Sequence, residues 1–266
     1  MRRHFHKMHG LGNDFVIVDA REDSLEVTPA LAKAIADRRT GIGCDQLILL
    51  GKSGSADLRM RIWNADGGEV ESCGNAARCV VALTGAGTIE TDGGYLEGTS
   101  RGAEISVTLP PPRFEWADIP LAYAMDTAAL PLAWDELKEP FAVNVGNPHL
   151  VFFVPDARKV DLETLGPRIE HDPAFPEAIN VNVATFVDNR LKLRTFERGV
   201  GETRACGTGA CASAVAAIST SRARSPVQVD MTGGKLVVTW APGEPIEMRG
   251  SATHVFEGDL DLEALA

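Results

Sequence analysis

Residues 58–74, LRMRIWNADGGEVESCG, and residues 191–207, LKLRTFERGVGETRACG, are two copies of one segment, set 133 positions apart. Leu58/Leu191, Arg61/Arg194, Gly68/Gly201, Glu69/Glu202, Cys73/Cys206 and Gly74/Gly207 are identical, and Trp63/Phe196 keeps an aromatic ring. Gly12-Asn13 with Gly146-Asn147, and Gln46 with Asn180, repeat at an offset of 134. In a chain of 266 residues such an offset is half the length. That is one duplication, not a short-period solenoid, so the chain must build a similar unit twice.

Both halves read in the same order. An apolar run opens each (FVIVDA; LVFFVPD), a second follows (QLILL; VNVATFV), and then comes the alternating run LRMRIW or LKLRTF. A glycine-bearing loop leads to a helix, NAARCVVALTG or TGACASAVAAIST, whose small residues suit close packing inside a curved sheet. Strands are expected again in IETDGGYLEG, AEISVTL, VQVDMTGGKLVVTW and PIEMRG. The expected fold is α+β, with two similar domains, each a curved and mostly antiparallel sheet around a central helix. The domains are placed at 1–115, with 253–266 returning to it, and at 116–252, and LPPPRFEWADIP (109–120) reads as the linker.

The formal net charge is −11 and no Lys/Arg-rich stripe is present, which argues against a nucleic-acid partner. No apolar run reaches the roughly 18 residues of a membrane span, and no apolar core follows the basic start as in a secretory signal. A cytoplasmic protein is expected. Five cysteines (44, 73, 79, 206 and 211) are too few for a disulfide scaffold, so reduced thiols are expected. The spacings of Cys73/Cys79 and Cys206/Cys211 are not those of structural zinc sites, so no metal is expected at them.

Cys73 and Cys206 each stand where a helix is due to begin, among free backbone amides that attract an anion and lower a thiol's pKa. Two such helix ends facing one substrate carboxylate would place a sulfur on either side of its α-carbon. A thiolate on one face can remove the α-proton while a thiol on the other returns one, which inverts the centre without a cofactor. Buried structural cysteines in duplicated positions are the plain alternative, but the repeated element is polar and glycine-rich where a core would be apolar. A cysteine hydrolase would leave the symmetry unexplained.

HKMHGLGNDFVIVD, GIGCDQ, WNADGGEVESCGNAARC, GNPH, FPEAINVN, ERGVGETRACGTGAC and THVFEGDL run in order from residue 6 almost to the C-terminus. Together they resemble the signatures of the diaminopimelate epimerase family. The resemblance implies inversion of one centre of LL-2,6-diaminopimelate to the meso form, on the route to lysine and peptidoglycan, without pyridoxal phosphate or metal. It implies a homodimer, and a site in the cleft between two similar halves. By motif, Cys73 and Cys206 match the two bases, and Gly74, Asn75, Gly207 and Thr208 match the helix ends that grip the reacting carboxylate. Asn13, Gln46, Asn64, Asn147, Asn180, Glu197 and Arg198 match positions that bind the ammonium groups and the distal carboxylate, with His149 as a supporting residue. Glu197-Arg198 replaces Asn64-Ala65 of the first half. Such asymmetry is expected if one half binds the non-reacting end, and it weighs against a proline or hydroxyproline racemase, whose substrate has no distal charged arm. A two-thiol racemase of another amino acid such as histidine, and a non-catalytic binding protein on the same fold, are the remaining alternatives.

Overall fold

The computed structural model describes residues 2–102 and 104–264. Ala103, at the head of the strand expected over 103–109, lies outside them, as do residues 1, 265 and 266 at the outer limits of the expected first domain. The chain divides into two compact units, Met1–Thr108 with Gly250–Ala266, and Leu109–Arg249.

The first unit runs β1 (Arg2–Gly10), β2 (Asn13–Asp19), α1 (Pro29–Ala36), β3 (Gln46–Gly51), β4 (Leu58–Asn64) and β5 (Glu69–Val70). It continues with α2 (Gly74–Thr84), β6 (Thr88–Thr91), β7 (Gly94–Arg101) and β8 (Glu104–Leu109). The second runs β9 (Ala133–Trp134), β10 (Leu137–Lys138), β11 (Phe141–Asn144), β12 (Pro148–Phe153), α3 (Leu162–Glu170), β13 (Asn180–Val187) and β14 (Arg190–Glu197). Then follow β15 (Gly201–Thr203), α4 (Gly207–Ser219), β16 (Val227–Met231), β17 (Gly234–Thr239) and β18 (Ile246–Gly250). The last strand, β19 (Thr253–Asp261), returns to the first unit and pairs antiparallel with β1.

Strand pairing repeats between the units. Antiparallel β1–β2, parallel β2–β3, antiparallel β3–β4 and β4–β5, parallel β4–β6 and antiparallel β6–β7 are matched by β11–β12, β12–β13, β13–β14, β14–β15, β14–β16 and β16–β17 in the same senses. Even the register carries over, since Phe15 opposite Gln46 becomes His149 opposite Asn180. Parallel neighbours cannot be joined by a hairpin and need a crossover. Each unit has two such steps, and a helix spans each: α1 and α2 in the first unit, α3 and α4 in the second.

β2 and β3 are buried on both faces, as unbroken apolar runs require. Val16, Val18, Leu47 and Leu49 share a core with Ile35 and Ala32 of α1, while α2 packs on β1, β2, β7 and β19. In the second unit Leu150, Phe152, Val181 and Val183 meet Leu165 and Ile169 of α3. The helix α4 is buried on every side from Gly209 to Ala217, which identifies it as the centre of its sheet. Its Ala, Gly and Ser residues leave no room for larger side chains, and added bulk there costs about 1–3 kcal/mol.

The stretch expected to be a linker differs from that expectation. From Arg113 onward it is part of the second unit: Arg113 exchanges backbone hydrogen bonds with Asn144, Phe114 lies edge-on to Phe141, and Ile119 is buried. Its prolines fit because the segment pairs through isolated contacts and forms no strand of its own.

Candidate active site

In the first unit, three neighbouring strands carry the expected side chains at their ends. Asn13 opens β2, Gln46 opens β3 and Asn64 closes β4, and the Gln46/Asn64 register lets Gln46 Nε2 donate to Asn64 Oδ1 at 2.8 Å. Gln46 Oε1 is buried with no hydrogen-bond partner among the described residues. Cys73 is the N-cap of α2, in extended conformation, and Gly74 and Asn75 form the first turn. Its thiol donates to Asn13 Oδ1 at 3.9 Å, and Asn75 Nδ2 donates to the same oxygen at 3.2 Å.

These side chains are held from behind. Asn13 Nδ2 donates to Asp45 Oδ2 at 3.0 Å, and the buried Arg78 donates from Nη2 to Asn75 Oδ1 at 2.9 Å. Arg78 needs room at Gly10, where an added Cβ would lie 3.1 Å from Nη2 and 3.2 Å from the Asn75 carbonyl. Asp45 shares Arg38 with Asp14, which Lys7 also contacts. Burial raises the Asp14 pKa, but hydrogen bonds from Arg38 and Lys7 outweigh it and hold the carboxyl well below its usual range. Lys7, Asp14, Arg38, Asp45 and Arg78 were not legible as site residues. Only the position of Asp45, directly before Gln46, hinted at a role.

In the second unit, Cys206 is the N-cap of α4 and Gly207 and Thr208 follow it. The Gly209 amide donates to Cys206 Sγ at 3.3 Å, and Thr208 Oγ1 lies 3.5 Å from the sulfur. Glycine is required at 209, since a Cβ would fall 2.5 Å from Asn182 Oδ1 and 2.9 Å from Thr195 Oγ1. The expected lowering of the thiol pKa by a helix end is not found at Cys206. Burial, followed by the charge of Glu197, raises it well above the ordinary cysteine value, and the helix-end amide only moderates this. Cys206 therefore rests as a thiol. Cys44 and Cys79 are raised by burial as well, to about 11 and about 12. All five cysteines are unbridged.

Glu197 closes β14 and Arg198 follows it. Thr203 Oγ1 donates to the Glu197 carboxylate, and the Arg198 backbone amide donates to Asn180 Oδ1 at 3.0 Å. The Arg198 guanidinium donates to the Glu177 carbonyl at 3.2 Å and has no carboxylate partner among the described residues. Asn180 Nδ2 donates to the Pro148 carbonyl at 2.8 Å.

His149 is fully buried, and burial, then the nearby Arg198 charge, lowers its pKa to about 3. It is a neutral imidazole. Asn182 Nδ2 lies 3.0 Å from His149 Nδ1 and also donates to the Leu150 carbonyl, while Thr195 Oγ1 donates to Asn182 Oδ1. Nδ1 is thus the acceptor and the ring proton sits on Nε2, which donates to Asn147 Oδ1 at 2.8 Å. With its oxygen engaged, Asn147 presents its amide nitrogen. Asn182 and Thr195 were not foreseen, although Asn182 is a polar residue inside the buried run VNVAT and shares a strand face with Asn180.

In the first unit, then, Cys73 is linked to Asn13, which Asn75 also contacts, Gly74 opens its helix, and Gln46 pairs with Asn64; in the second, Cys206 lies beside Glu197, Thr208 and Gly209, Gly207 opens its helix, His149 pairs with Asn147 and Asn180 with Arg198. The sequence profile of the family described as diaminopimelate epimerase matches residues 5–109 and 141–255, most of the chain and both halves of the duplication. The chain belongs to the diaminopimelate epimerase family. A diaminopimelate epimerase of Rhizorhabdus wittichii is 62% identical over 268 residues, covering 99% of this chain and 97% of that one. Another from Sphingopyxis alaskensis is 62% identical over 263 residues, covering 98% of each. Solved structures share the fold at low identity. A phenazine biosynthesis protein of the PhzF family from Enterococcus faecalis aligns with a TM-score of 0.71 at 14% identity, covering 98% of this chain and 100% of that one. A hydroxyproline epimerase from Agrobacterium vitis with bound trans-4-hydroxy-L-proline aligns at 0.67 and 14%, covering 97% and 92%. The family and its isomerase function thus rest on the family profile and these relatives, and the solved structures share the α+β fold.

Proposed function

We propose that this chain interconverts LL- and meso-2,6-diaminopimelate by a cofactor-independent, two-base mechanism in which Cys73 and Cys206 act on opposite faces of one α-carbon. The observation that carries this reading is the twofold placement of a thiol as N-cap of a helix, Cys73 on α2 beside Asn13 and Cys206 on α4 beside Glu197. The substrate's reacting carboxylate would take the first-turn amides at Gly74-Asn75 and Gly207-Thr208, where the helix dipole favours negative charge. The unpartnered Gln46 Oε1 is an acceptor suited to an ammonium donor, and the Arg198 guanidinium is suited to the distal carboxylate. Asn13, Asn64, Asn147 and Asn180 would complete the polar lining.

In the inverting step, one sulfur as thiolate takes the α-proton. The C–H electron pair passes into the carboxylate-stabilised carbanion, and the S–H of the other cysteine supplies the proton for the new C–H bond. The enzyme ends with thiol and thiolate exchanged. Burial and the charge of Glu197 favour the protonated form of Cys206. His149 acts through Asn147, fixing which end of that amide faces the substrate. The place in lysine and peptidoglycan synthesis, the cytoplasmic location and a homodimeric assembly belong to the same proposal.

The test is incubation with LL-diaminopimelate in deuterium oxide. Early meso product should carry solvent deuterium at the inverted carbon while remaining substrate stays largely unlabelled. Product that keeps its original hydrogen would instead require a single base, and absence of meso product would overturn the activity itself.

A further inference from the structure

β1 alternates His4 and His6 on one face, and β19 lies beside it. The pairing brings Asp259 opposite His4 and Glu257 opposite His6. Between Lys7 and Met8 the register slips, so that Lys7 faces Phe256 and Met8 faces His254, with Val255 left over. That bulge reverses the usual alternation locally, so His254 and Glu257 share a face three residues apart. Three imidazoles and a carboxylate gather there.

Their spacing is specific. His6 Nδ1 lies 3.2 Å from His254 Nε2 and 3.4 Å from Glu257 Oε2, and His254 Nε2 lies 3.8 Å from Glu257 Oε2. Ligands of a tetrahedral zinc ion at roughly 2.0–2.1 Å stand about 3.3 Å from one another, so this triangle needs little adjustment to hold one. The fourth donor is His4 Nε2, 4.0 Å from Glu257 Oε2. His4 Nδ1 meets Asp259 Oδ1 at 3.2 Å, which fixes the proton on Nδ1 and leaves Nε2 as the free lone pair. A carboxylate behind a histidine in this way is the arrangement that orients metal-bound imidazoles.

We propose that His4, His6, His254 and Glu257 form a divalent transition-metal site of the zinc class that ties the C-terminal strand to the N-terminal one, with Asp259 orienting His4. Zinc has no part here in the inversion chemistry. Its effect is on the hold between β1 and β19, the two ends of the chain.

The test is calorimetric titration of zinc chloride into the full-length Cys73→Ser/Cys206→Ser protein, so that the reactive thiols do not compete. One ion per chain is expected, with affinity lowered at least about tenfold by His6→Ala or His254→Ala and about 10- to 100-fold by Asp259→Asn. His171→Ala, on the exposed end of α3, should bind as the parent does. Cobalt in the same site should show visible bands without thiolate charge transfer, and zinc should raise the melting temperature of the parent but not of His6→Ala. No binding in the Cys73→Ser/Cys206→Ser protein, or binding unchanged by both His6→Ala and His254→Ala, would overturn the proposal.

Discussion

The two units share strand pairing, register and a thiol at the same helix cap, yet they treat that thiol differently. Cys73 is partly exposed and leans on Asn13, whereas Cys206 is buried, accepts a hydrogen bond from the Gly209 amide and sits against Glu197. Behind Cys73 the supporting groups are charged, with Arg78 on the helix and the Lys7, Asp14, Arg38 and Asp45 network at its side. At Cys206 the charged neighbour is Glu197, Cys211 stands at the helix position of Arg78, and Asn182 and Thr195 lie against Gly209. Duplication supplied one scaffold, and divergence at a few positions separated a polar, accessible thiol from a proton-retaining one. A racemase of a symmetric task has little use for such divergence; an enzyme whose substrate has one reacting and one non-reacting end does.

The largest test of that contrast is removal of each sulfur. Cys73→Ala and Cys206→Ala should each lower epimerisation by at least the roughly 10²–10⁴-fold that a positioned acid or base contributes, and more if the pair acts as a unit. Near-native turnover by Cys206→Ala in both directions would break the equivalence of the two thiols. Next in size is Arg198→Ala, which removes a cation that the first unit lacks, since Ala65 stands there. Losing its charge-assisted contacts is expected to cost about 10- to 150-fold in kcat/KM with diaminopimelate, and comparable turnover of proline by the parent enzyme would contradict the assigned role.

A smaller effect separates His149 from Phe15, its match in the first unit. Because the folded pKa of about 3 lies below the ordinary histidine value of 6.5, the unfolded chain takes up the proton first as pH falls. His149 therefore contributes stability that is fully present above about pH 6.5 and is lost as the pH falls toward about 3. His149→Gln should flatten the stability profile across that window, measured by urea unfolding at several pH values. Superimposable slopes would mean that His149 is not held neutral.

The smallest effect compares Arg61 with Arg194. Each makes the same bidentate cross-strand pair, with Glu69 or Glu202, at 2.7–2.9 Å. Arg61 also covers the Trp63 ring at 4.6 Å, whereas Arg194 donates to the Ala157 and Val160 carbonyls. Arg61→Ala should cost about 0.2–1 kcal/mol, and Arg194→Ala about 1 kcal/mol more because two carbonyls lose a donor. Equal losses in urea unfolding would leave the distinction without weight.

These arginines also mark how far the sequence could be read. The duplication pointed to Cys73-Gly74 and Cys206-Gly207, and it pointed equally to Arg61/Glu69 and Arg194/Glu202, which clamp strands and do no chemistry. Repetition shows what both units need, whether for folding or for reaction. The α+β fold and the central helices were legible because long apolar and Ala-rich runs express local preference. The helices α1 and α3 were not, being eight and nine residues long. In α3, Gly166 and Pro167 read locally as breakers, yet a Cβ at 166 would strike the Phe196 ring at 2.4 Å, so the glycine answers a distant contact. Strand β1, RRHFHKMHG, looks too charged for a sheet and owes its state to its partners β2 and β19. The high pKa of Cys206 was hidden for the same reason, since burial is a property of the assembled unit and not of the helix end alone.

That β19 lies against β1 has a consequence for how the chain comes to life on the ribosome. The second unit is one unbroken stretch of message, 109–249, and every strand it needs has been synthesised before β19. The first unit, though most of it is translated before the second, waits with β1 missing a neighbour until β19 has been made, so its sheet is completed only after the second unit's.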